Sequence, residues 1–225
     1  MTVTISPHVA ARCYAQHGWP VFPCHGLSNH DCGCGHPDCA SPGKHPLTWR
    51  GHHDATTRRD VIDRWWSRSP SANVAIATGN RSRLVVVDID PDHDGLASLA
   101  SLERVYAPLP TTRTARTGRG GHHLYFGHPG GEIPNNAGTR LGPGIDIRGD
   151  GGYVIAPPSL HISGVHYQWE ATRVIADPPA WLARALAPPP PVSSPPAPRL
   201  VRPHGGGSRW AAAAIDGELG RVAAA

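Results

Sequence analysis

No stretch of the 225-residue sequence approaches the length of apolar chain that crosses a bilayer. The N-terminus lacks the charged start and apolar core of a secretory signal. A cytoplasmic protein is the expectation, and in that compartment thiols stay reduced or bind metal. The five cysteines are an odd number, which argues against a fully paired disulfide framework. Hydrophobic residues make up only 39%, and 26 glycines with 25 prolines account for part of the shortfall. That balance predicts a loop-rich α/β core with a poorly ordered tail. No long-period repeat is visible. The glycine-rich loop Thr117-Gly-Arg-Gly-Gly121 lacks the Gly-Lys-Ser/Thr ending of a P-loop. The 21 basic against 17 acidic residues leave a net charge of +4, which permits a polyanionic partner without requiring one.

What is present centres on Leu84-Val-Val-Val-Asp-Ile-Asp-Pro91. A β-branched apolar run of this length predicts a buried strand. Side chains alternate along a strand, so Asp88 and Asp90 share a face. Two carboxylates on one face repel and lose hydration, and a divalent ion such as magnesium or manganese relieves both. The plainer reading is a cap and turn, in which Asp90-Pro91-Asp92 before Gly95 ends the strand.

The second cluster is Cys32-x-Cys34-x4-Cys39, followed by Ser41-Pro-Gly-Lys-His45. Thiolates and imidazoles this closely spaced suit tetrahedral zinc in a closed structural site. Cys32, Cys34, Cys39 and His45 are the expected ligands, with His36 or Cys24 as substitutes for the fourth.

Elsewhere, Ser6 and Pro7 open a helix that Gly18 stops. Trp19–Cys24 reads as a strand. Asp54-Ala-Thr-Thr57 is expected to cap a helix carrying Val61, Ile62, Trp65 and Trp66, with the tryptophans in the core. Strands are expected at Asn73–Gly79, Thr111–Arg116, His122–Phe126, within Gly142–Arg148 and at Tyr153–Pro158. A hairpin turning at Ser163-Gly164 leads into Tyr167 and Trp169. Helices are expected at Leu96–Tyr106 and Pro178–Leu186.

Asp146 ends on a short strand and is the third candidate ligand. Three carboxylates holding two ions suit phosphoryl or nucleotidyl transfer. His123 shares a strand face with Tyr125 and is placed to bond a nucleotide phosphate, with Arg116 and Arg119 near in sequence. His122 points to the opposite face. Arg148 shares the Asp146 face and either offsets the acids or grips a triphosphate. Lys44 is a candidate phosphate or template contact, or else a solvated loop lysine.

Together these pieces resemble the bifunctional primase/polymerase N-terminal domain of the archaeo-eukaryotic primase superfamily. The matching segments are Asn73–Gly79, Val87-Asp-Ile-Asp90, Thr117–Phe126, Gly144–Ser159 and the Cys/His loop ending Pro42-Gly-Lys-His-Pro46. They span roughly residues 8 to 186. The resemblance implies an α+β fold, with an RRM-like antiparallel sheet packed against an N-terminal α/β unit. It implies that Asp88, Asp90 and Asp146 bind metal and that His123 contacts the nucleotide. Members often carry a small hydroxyl residue two places before that histidine; here the place is Gly121, so any side-chain contact from it is lost.

The implied reaction is template-directed nucleotidyl transfer from NTP or dNTP onto a primer or first nucleotide on single-stranded DNA. The implied cofactors are Mg2+ or Mn2+ for catalysis and Zn2+ for structure. The alternatives are a two-metal nuclease or phosphatase, and a non-catalytic single-stranded-DNA-binding module of a replication initiator. The expected domains are a catalytic domain at 1–187 with its zinc loop at 24–46, a Pro/Gly-rich linker at 188–207, and the start of a truncated helical segment at 208–225. Many family members are fused to a helicase, which is the expected partner here.

Overall fold

A computed structural model describes residues 5–28, 31–138, 140–170 and 174–188. The expected linker at 188–207 and helical segment at 208–225 fall outside the described residues, apart from Pro188. The described part is mixed α/β, with antiparallel sheets and four α-helices. No helix among the described residues is long and apolar enough to cross a membrane.

Helix α1 (Pro7–Gln16) starts as its sequence dictates: the Ser6 hydroxyl accepts from the Val9 N–H and Pro7 occupies the first turn. Strand β1 (Val21–Cys24) follows, then the two-residue strands β2 (Leu27–Ser28) and β3 (Asp31–Cys32). Helix α2 (Arg59–Arg68) begins later than the Asp54–Thr57 cap predicts. Asp54 instead ends a 3-10 turn, Gly51–Asp54, and accepts from the backbone N–H and guanidinium of Arg50. With its carboxylate taken, no side chain caps α2. Both tryptophans pack inward as expected: Trp66 is buried and donates its indole N–H to the Ala72 carbonyl, and Trp65 is partly buried.

The chain then builds β4 (Asn73–Ala77), β5 (Leu84–Ile89), α3 (Gly95–Val105), β6 (Arg113–Arg116), β7 (His122–Gly127), β8 (Asn136–Ala137), β9 (Ile145–Arg148), β10 (Tyr153–Ile155), β11 (Gln168–Trp169) and α4 (Ala180–Leu186). The small sheet has the order β1-β4-β10 and the large one β11-β6-β7-β5-β9-β8. Trp169 thus pairs with β6 rather than completing a local hairpin, although the Ser163-Gly164 turn forms, with His161 and Val165 paired across it.

Alternation along β5 explains the layers. Val85, Val87 and Ile89 face a core formed with Leu99 and Leu102 of α3 and Leu182 and Leu186 of α4. Leu84 and Val86 face the other way, into a core shared with α1, α2 and one face of the small sheet. Asp88 belongs to this second face, where that core gives way to a cleft.

Asn73, at the start of β4, ties the Cys/His loop to the sheet. Its amide donates to the carbonyls of Gly43 and Leu160 and accepts from the Leu160 N–H. Asn73→Ala leaves those buried groups without partners and is expected to cost about 2 kcal/mol in chemical denaturation.

Candidate active site

Strand pairing brings the predicted residues into one row. His123 on β7 and Asp146 on β9 are both direct cross-strand partners of Asp88 on β5. Opposed residues in antiparallel strands share a face. Asp90 lies one step further along that face, and its N–H bonds to the Gly144 carbonyl. All four side chains line a cavity of about 530 Å³, together with Lys44, Arg119, Arg148, His161 and Tyr167. A contiguous lobe continues from Lys44, Asp88, His123, Arg148 and Tyr167 toward His45, His52 and Tyr153.

The Arg148 guanidinium lies 2.7 Å from the Asp146 carboxylate and 3.4 Å from that of Asp88. His123 Nε2 is 3.3 Å from the other Asp88 oxygen. Burial alone would raise the Asp88 carboxyl, but the charge and hydrogen bond of His123, with Arg148, outweigh it and hold the group at about 2. A depressed folded pKa adds stability that is present above the ordinary carboxylate range and lost as pH falls through the folded value. The expected loss is about 2 kcal/mol between about pH 4 and pH 2, and urea midpoints across that window should flatten in Asp88→Asn. Asp146 goes the other way: burial raises its carboxyl, Arg148 opposes that, and the nearby Asp88 charge adds to it.

Asp90 forms the cap and turn that its sequence allows, on the rim of the same cavity. It lines the cavity, yet its carboxylate also accepts from the Asp92 N–H and pairs with His93 at 2.9 Å. This turns it from its neighbours. Among the described residues, the only group of three or more His, Cys, Asp or Glu whose donor atoms close to within 4.8 Å is Cys32, Cys34, Cys39 and His45. The three acids are set more openly. They fit divalent ions by donor chemistry, and the Asp88 charge adds to the rise that burial imposes on Asp146, with Arg148 supplying the counter-charge.

The Cys3His group stands as the spacing predicts, with His45 as the fourth member. Of the substitutes, Cys24 is fully buried in the core under the small sheet, where burial raises its thiol, and His36 only borders the group. Loop and acid site meet at Lys44. It follows Gly43, whose N–H points to Cys32 Sγ, and precedes His45. Lost hydration lowers the Lys44 ammonium from its ordinary value, against the pull of Asp88.

Arg116 is not brought to the site. Ala115 is the residue opposite His123, so Arg116 takes the other face, beside His122, and donates to Gln168. Its nearness in sequence to His123 does not survive the strand parity. Arg119, in the loop, does reach the cavity, where it pairs with Asp92 at 2.7 Å. His122 faces away as expected and lies 3.5 Å from Glu170. Gly121 is where the sequence lacks a hydroxyl, and a Cβ there would stand 2.3 Å from the Ile89 carbonyl oxygen. In this chain the strand crossing leaves no room for a side chain.

The sequence reading missed His161 as a site residue. Its Nδ1 accepts from the Ser163 N–H, which leaves the ring proton on Nε2. Burial, then Lys44 and Arg119, lower it to about 4, so the ring is neutral at physiological pH. The only signal in the sequence was its place before a turn.

The sequence model of the family described as bifunctional DNA primase/polymerase, N-terminal, matches residues 11–181. The chain belongs to this family. Membership places it among nucleotidyltransferase-type enzymes of DNA replication, with DNA and nucleotides as substrates. The primase/polymerase match spans both sheets and every residue of the acid row. Among curated proteins, none matches the sequence.

Proposed function

We propose that the chain performs template-directed nucleotidyl transfer, making or extending primers on single-stranded DNA from NTP or dNTP. The observation that carries this reading is the row His123–Asp88–Asp146 across three neighbouring strands, with Asp90 beside it on a cavity that also holds Lys44, Arg119 and Arg148. We read the large sheet, with α3 and α4 on one face, as the RRM-like catalytic sheet of the primase superfamily, and the small sheet with α1 and α2 as its N-terminal unit.

Asp88, Asp90 and Asp146 would hold Mg2+ or Mn2+, with Asp90 releasing its cap on Asp92 to do so. Bound ions supply acidification of the attacking 3′-hydroxyl and charge neutralisation on the triphosphate. Arg148 exchanges its carboxylate partners for phosphate oxygens. His123, walled by Tyr125 and Tyr167, donates to the same group. Lys44 and Arg119 add positive charge at the mouth, and His161 offers a neutral N–H. The Cys3His group would hold Zn2+ and fix Lys44 against the cleft. A cytoplasmic location and a fused helicase after the linker complete the proposal.

The test is incubation of the protein with single-stranded template, all NTPs and dNTPs, and manganese or magnesium, with and without primer. Lengthened products are expected. DNA shortened in the absence of nucleotides would replace the reading with a nuclease, and metal-independent binding without products would leave a DNA-binding module.

A further inference from the structure

A separate cavity of about 380 Å³ lies outside the acid cleft and is lined by Leu47, Trp49, Trp65 and Arg68, among others. Trp49 is 99% exposed, the most open large apolar side chain among the described residues. Trp65 presents one part of its ring here while another part packs on the core. Arg68, in the last turn of α2, has no acidic partner among the described residues, whereas Arg58, Arg59 and Arg64 on and beside the same helix each have one. Asp54 also borders the cavity, but Arg50 neutralises it at 2.7 Å. The loop bearing Trp49 leaves the cleft wall at His45 and returns to it at His52.

An indole held in water serves no packing purpose. Two indoles beside a guanidinium match the needs of one nucleotide. Base faces stack on aromatic rings whatever their sequence, and the guanidinium takes a phosphate. An aromatic-lined groove also suits a proline-rich peptide. Arg68, without an acidic partner among the described residues, and the run of the loop into the cleft favour nucleic acid.

We propose that Trp49, Trp65 and Arg68 form a stacking site for a single-stranded nucleic acid on its way to the acid cleft. The proposal rests on the template-directed reading, which supplies the single strand.

Fluorescence anisotropy with a labelled oligonucleotide of about 15 residues tests it. Trp49→Ala removes a side chain that supports nothing in the fold, and it is expected to weaken binding about tenfold. Trp49→Phe should restore most of the affinity. Arg68→Ala should reduce the slope of log affinity against log salt by about one. The KM for nucleoside triphosphate at saturating template should not change in Trp49→Ala. Unaltered oligonucleotide affinity in Trp49→Ala overturns the proposal, as does a proline-rich peptide that quenches Trp49 and is not displaced by oligonucleotide. Because binding is read without turnover, a wild-type chain that binds but never polymerises refutes the proposed reaction and leaves this site standing.

Discussion

Asp146→Asn is expected to abolish nucleotide addition and yet leave the folded chain at least as stable as the parent. The two effects have one cause. Burial raises the Asp146 carboxyl above its ordinary range, and the Asp88 charge adds to this despite Arg148. A group whose folded pKa is raised contributes stability that is complete below the unfolded pKa and lost as pH rises through the folded one. At neutral pH the ionised carboxylate therefore weakens the fold. Asparagine keeps the shape and removes the charge, so the melting temperature at pH 7 should hold or rise. A lost outer-sphere metal partner typically costs 10–100-fold, so the loss of a direct carboxylate should exceed about 100-fold in primer extension. Manganese should raise the melting temperature of the wild type more than that of the variant. A variant that melts several degrees lower and still extends primers would make Asp146 structural.

The second large effect concerns the Cys3His group. Cys39→Ser alters a partly exposed thiol on a loop, so packing alone predicts little change. Metal loss predicts much more, since a structural zinc site carries about 10 kcal/mol of folding energy in isolated fingers. Wild type should contain one zinc per chain by atomic emission, and the variant none. The consequence should reach the acid cleft through Gly43, whose N–H points to Cys32 Sγ and whose carbonyl accepts from the Asn73 amide, and so through Lys44 beside it. The KM for nucleoside triphosphate should rise about tenfold or more, with a smaller change in kcat, and a chelator should reproduce this in the wild type. Full zinc content with unchanged kinetics in Cys39→Ser would remove the group from both roles.

The acid row was legible because its logic is local. Period-two alternation places Asp90, just past the end of β5, on the same side as Asp88, and the same rule pairs His123 with Tyr125 and Asp146 with Arg148. The Cys3His spacing likewise needs only a short loop. Arg116 failed because its face depends on which residue of β6 meets His123, a register that sequence distance does not reveal. The start of α2 failed because Asp54 had a stronger local partner in Arg50 than the helix backbone. His161, Tyr153 and Tyr167 reach the cleft only through long-range pairing of the second half, and nothing in their local sequence marks them. The Asp90 cap is legible from Asp90-Pro91-Asp92, whereas its place on the cavity wall depends on the packing of β5 against the rest of the cleft.

The Arg148 bridge to Asp146 and Asp88 has a thermodynamic corollary. On the proposed reading, a hard cation on those carboxylates would compete with the guanidinium for their charge, and the loosened guanidinium would turn more readily to a triphosphate. The two ligands are therefore linked: each must tighten the other by the same factor, since heterotropic coupling is reciprocal. Either ligand alone would bind more weakly than it does beside the other.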